Sequence, residues 1–94
     1  MGQDNLIELG DALLAALYQR AAHFHEKSWQ HEALAWEAVG VETRINMLKS
    51  GELDALASDA LQNHNWGDKL RDHSPELAES VMAFYQQLYR TVAA

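Results

Sequence analysis

The chain has 94 residues, 48% hydrophobic and 22% charged, which suits one domain with a modest core and is too apolar for wholesale disorder. Seven basic residues against fourteen acidic ones give a net charge of −7, and the basic residues are scattered, so the clustered cationic surface that nucleic-acid phosphates require is missing. Cysteine is absent, which excludes disulfides, thiolate nucleophiles, zinc knuckles and iron–sulfur ligation.

The opening Met1-Gly2-Gln3-Asp4 lacks the basic and apolar regions of a signal peptide, and no apolar run approaches the roughly 20 residues that span a bilayer. The expected address is the cytoplasm, with no membrane or nucleic-acid partner. The chain reads as a single domain over residues 1–94, all-α, a compact bundle of four helices at about 5–27, 29–49, 52–63 and 75–92, mainly antiparallel.

The first segment, about Asn5 to Lys27, can be capped by Asp4 or Asn5, with Glu8 and Asp11 in the early turns that favour acids. Leu6, Leu9, Leu13, Leu17 and Phe24 form its apolar stripe, widened by Ile7, Leu14, Tyr18 and Ala21. Gly10 interrupts that arc at about 1 kcal/mol of helix propensity relative to Ala, which close approach of another helix would justify.

No Gly or Pro separates this segment from the second, about Trp29 to Lys49. Continuing the first register would nevertheless bring His31, Glu42 and Asn46 onto an apolar stripe, so a break is expected between His23 and Ser28, with Ser28 as N-cap and Gly51 beyond the C-terminus. The third segment, about Glu52 to Asn63, carries Leu53, Leu56, Ala57, Ala60 and Leu61 on one face. A polar connection with Trp66 follows, in which Leu70 sits in a short helical turn. Its neighbourhood, from Glu52 through Asp54 and Asp59 to Asp68, is one-sidedly acidic and reads as a solvated face. The fourth segment starts at Ser74-Pro75-Glu76, with Ser74 as N-cap and Pro75 in the first helical position. Leu77, Val81, Phe84, Leu88 and Val92 form its main stripe, extended sideways by Ala78, Met82, Tyr85 and Tyr89.

The second segment is the informative one, because it has two apolar seams. Leu34, Ala38, Val41, Ile45 and Leu48 make one; Trp29, Ala33, Trp36, Gly40, Thr43 and Met47 make the other, alternating large and small. Each spacing suits a helical neighbour at a shallow crossing angle. The tryptophan seam is either covered from within, by the third segment and the Trp66 loop, or it belongs to an interface, where aromatics and Met are enriched. Trp29, Trp36, Gly40 and Met47 are therefore the candidate partner-binding residues, with Met82, Tyr85 and Tyr89 as secondary contacts.

Catalytic chemistry finds little footing. Three of the five serines, Ser28, Ser50 and Ser74, fall at helix boundaries where capping explains them, and the five glycines are isolated, so neither a nucleophile elbow nor a phosphate-cradling loop is present. A helix-turn-helix over Met47 to Leu61 would point Glu52, Asp54 and Asp59 at phosphates. His23, His25 and His31, with Glu26 and Glu32 nearby, are the candidate metal ligands of an alternative reading as a metal- or cofactor-binding bundle. Residues two apart on a helix diverge by about 160°, and neither HExxH nor a Glu-x-x-His pair occurs, so no metal or cofactor is expected. The chain resembles small acidic adaptor, inhibitor and immunity-type proteins in size, charge and surplus apolar helix surface. That resemblance names no partner; the surplus apolar helix surface itself is the ground for expecting a non-enzymatic protein–protein interaction module acting by helix-face docking, as a homodimer.

Overall fold

The computed structural model describes residues 2–60 and 68–93, with side chains over 4–58 and 68–92. Within them are four helices and no strand: α1 (Gly2–Ala21), α2 (Trp29–Lys49), α3 (Leu53–Ala60) and α4 (Pro75–Ala93), with a 3₁₀ turn at Asp68–Leu70 that buries Leu70 completely. The all-α bundle is as expected. The expected helical residues 61–63 and the Trp66 loop lie outside the described residues.

The break between α1 and α2 falls at residues 22–28. The end of α1 tightens through His23 N–H donating to Arg20 O (3.0 Å) and Phe24 N–H to Ala21 O (3.1 Å). His31 Nδ1 lies 2.8 Å from the same Ala21 carbonyl and donates to it, satisfying an exposed helix end with a ring from the next helix. Ser28 is extended (φ −79°, ψ 154°), and its hydroxyl accepts the His31 N–H at 3.2 Å. At the other end of α2, Gly51 takes φ 75°, donates to Leu48 O (3.2 Å) and lets Glu52 N–H reach Met47 O (3.0 Å), the paired bonds of a Schellman stop.

Helix directions follow from which residues meet. A Cβ built on Gly10 of α1 would lie 2.8 Å from Ile45 in α2 and from the Phe84 ring in α4. At the opposite end, Ala21 meets His31, and Arg20 bonds Ser74 and the His73 carbonyl. Both α2 and α4 therefore run antiparallel to α1 and parallel to each other. A parallel pair needs a return path, and residues 50–74, with α3 and the 3₁₀ turn, supply it over an α2 about 30 Å long. The four helices thus form the expected compact bundle, with both large packings, α1 on α2 and α1 on α4, antiparallel, and with residues 50–74 as the crossover.

Leu34, Ala38, Val41, Ile45 and Leu48 of α2 are all buried, as their seam predicts, against Leu6, Leu13, Leu17 and Ala21 of α1 and Ala78, Val81, Phe84, Tyr85 and Leu88 of α4. The stripe of α1 is narrower than its leucines suggest. Leu9 (41% exposed) and Tyr18 (45%) lie on opposite flanks of α1, outside the core.

Gly10→Val should cost about 1–3 kcal/mol by overpacking, a fall of several degrees in Tm measured by circular dichroism. Gly10→Ala should cost less, because about 1 kcal/mol of helix propensity is regained. Gly40→Ala, whose Cβ would meet only the end of Arg44 at 3.2 Å and the Tyr85 hydroxyl at 3.4 Å, should raise Tm by a few degrees, because the same helix propensity is regained at little steric cost.

Candidate interaction surface

The second seam of α2 divides once the core is formed. Trp36 is 72% exposed and Trp29 55%, and they are joined by Val39 at 55%. These are the most exposed large apolar side chains among the described residues, and all belong to α2. Thr43 is exposed as well, and the remainder of the seam turns inward. Met47 is half-buried against the core, and Ala33 is buried beneath the two tryptophans. Gly40 is not an open recess for a partner ring. Arg44 Nη1 donates to its carbonyl at 3.0 Å, the Tyr85 hydroxyl lies 3.4 Å from where a Cβ would stand, and the Arg44 guanidinium sits over the Tyr85 ring at 5.3 Å from its centroid.

The expected secondary contacts on α4 differ in how far the fold leaves them accessible. Tyr85 is 3% exposed: it packs edge-on against Phe84 at 5.5 Å and fills the α2–α4 crossing, so it belongs to the core rather than the outer surface. Tyr89 is half-buried and packs against the core, 6.2 Å from Tyr85. Met82 is half-buried on α4.

Trp29 stands at the end of the bundle where α1 finishes and α2 and α4 begin. Its ring meets His73 edge-to-face at 5.2 Å, and His73 meets Phe24 likewise at 5.3 Å. Arg20 caps this stack from below. Its guanidinium lies 5.0 Å from the Phe24 centroid, its Nε donates to Ser74 Oγ at 3.1 Å, and Nη2 donates to the His73 carbonyl at 3.0 Å. Ser74, buried at the start of α4, also contacts His73 Nδ1 at 2.9 Å. Its hydroxyl thus anchors the Arg20 and His73 side chains at the start of the helix. The network holds Trp29 in place, and among the described residues Trp36 has no ring partner.

A groove of about 640 Å³ lies between these tryptophans and the 3₁₀ turn, lined by Trp29, Glu32, Ala33, Trp36, Lys69 and Asp72. The sequence gives no hint of its far wall, because Lys69 and Asp72 arrive there only through the long return path. Val39 was also missed: it falls on neither seam, yet it is three residues from Trp36 and shares its side of α2.

The three candidate metal ligands are not brought together. His25 Nδ1 accepts the Lys27 N–H at 3.1 Å, His31 Nδ1 is engaged by Ala21, and His23 is exposed. Among the described residues, no three His, Asp or Glu side chains are grouped as a metal site would need, and no helix is long and apolar enough to cross a membrane. No protein-family profile matches the chain, and no curated protein or solved structure shows detectable similarity to it.

Trp36→Ala should change unfolding free energy by no more than about 0.5 kcal/mol, as for an ordinary surface position. Tyr85→Ala should cost about 3–5 kcal/mol, as for a core aromatic. Urea titration followed by circular dichroism measures both, and a large loss for Trp36→Ala would return that ring to the core.

Proposed function

We propose that the protein is a non-enzymatic protein–protein interaction module that docks through the outer face of α2 and pairs with a second copy of itself. The observation that carries this reading is the exposure of Trp36, whose indole alone presents a large rigid apolar surface that the fold leaves to solvent. Trp29, Trp36 and Thr43 repeat every seven residues, with Val39 beside them, the spacing of a helix seam. Such a seam is self-complementary when antiparallel. With a twofold axis at Trp36, the two Trp36 rings meet, each Val39 faces the partner's Ala33, and each Trp29 faces the partner's Thr43. Large groups thereby oppose small ones on both sides of the axis. The polar groups at the end of the bundle favour a binding role over a catalytic one. Arg20, His31, His73 and Ser74 are engaged in bonds that hold helix ends together.

Light scattering over a range of protein concentrations tests the pairing. The wild type should approach twice the 10.6 kDa chain mass as concentration rises, and Trp36→Ala should stay at the monomer mass with its helix content intact. A wild type that remains monomeric at high micromolar concentration disproves self-pairing.

A further inference from the structure

We infer that the groove between Trp29 and Trp36 seats a guanidinium or alkylammonium side chain carried on a short basic segment of a partner protein. The inference rests on the reading of α2's outer face as a docking surface and names the chemistry of a second occupant, one that competes with self-pairing because the antiparallel pair brings the partner copy over Ala33.

The two indoles stand seven residues apart on one helix, about 10 Å along its axis, so the space between them takes one slender or flat side chain. The buried Ala33 makes a shallow floor. Tryptophan offers the most favourable aromatic face for a cation. Arg20 and Arg44 already lie over Phe24 and Tyr85, so the protein's own guanidinium–ring contacts are made elsewhere. Trp29 is held from behind by His73, which makes it a prearranged wall.

Charge selects among occupants. Among the described residues at the groove, Glu32 and Asp72 stand against the ammonium of Lys69, an excess of negative charge on a chain of net −7. An anion would meet like charge. An apolar side chain would strip water from two carboxylates and return nothing to them. A guanidinium satisfies both requirements, laying its flat face on an indole and its N–H groups towards the carboxylates. The acidic surroundings also raise its encounter rate at low salt.

The probe is an acetylated, amidated Gly-Arg-Gly-Arg-Gly peptide titrated into the full chain, with the indole N–H resonances followed by heteronuclear NMR and assigned through Trp29→Phe and Trp36→Phe. Both resonances should shift saturably. The same peptide with Leu or Glu in place of Arg should leave them unmoved, and added salt should weaken the Arg peptide several-fold. The double variant Glu32→Gln, Asp72→Asn should also bind several-fold more weakly while its circular dichroism is unchanged. Absence of a saturable shift, an equal response to the Leu peptide, or full affinity in the double variant overturns the inference. The titration is run at concentrations where light scattering gives the monomer mass, so that a covered groove is not mistaken for an empty one: no shift there overturns the cation seat, and failure to reach twice that mass at higher concentration disproves self-pairing.

Discussion

Three helices touch at Gly10, and the orientation of α2 depends on that contact. Because the position carries no side chain, α1 comes near enough for Ile45 and Phe84 to occupy the space where a Cβ would be. Ile45 is then committed to the interior. At 100° per residue the rest of the helix has no rotational choice: Leu34, Ala38, Val41 and Leu48 turn inward with it, and Trp36 and Val39 turn out. The surface aromatics are therefore a consequence of core packing on the other side of the same helix. Anything that loosens the crossing would let α2 rotate and begin to hide them.

The end of the bundle is secured differently. There the contacts are polar and aromatic, with Arg20 reaching across more than fifty residues of sequence to Ser74 and His73. Charge-assisted bonds to a serine hydroxyl and a backbone carbonyl are directional, so they fix the start of α4 relative to the end of α1 where leucine packing alone would permit sliding. His73 passes that order outward to Trp29 through ring edges. The stiff half of the exposed surface is thus continuous with the network that joins the three helices, and Trp36, two turns along, stands free of it.

How much was legible in the sequence varied with the kind of signal. The inner seam of α2, its cap at Ser28 and its stop at Gly51 were readable because periodicity and local backbone chemistry determine them. The fate of Gly10 was readable only as a question, since a glycine in a helix signals closeness without naming the neighbour. Leu9 and Tyr18 were assigned to the core because α1 has more apolar circumference than two neighbours can cover. Tyr85 erred in the opposite direction: a residue on the edge of one stripe becomes buried when it reaches across to a second helix, here to Arg44 and the Gly40 turn of α2. The groove was not legible at all. Its walls lie more than thirty residues apart and meet because α2 and α4 run parallel, which is a property of topology rather than of any local pattern.

The exposure of Trp29 and Trp36 has an optical consequence. An indole in water already emits at long wavelength, so for these two rings the native protein differs little from the unfolded chain. Intrinsic emission from them reports what settles on the outside of the molecule and is a poor gauge of whether its interior has melted. Chain collapse is better followed through the backbone, and the tryptophans are left as native reporters of encounter.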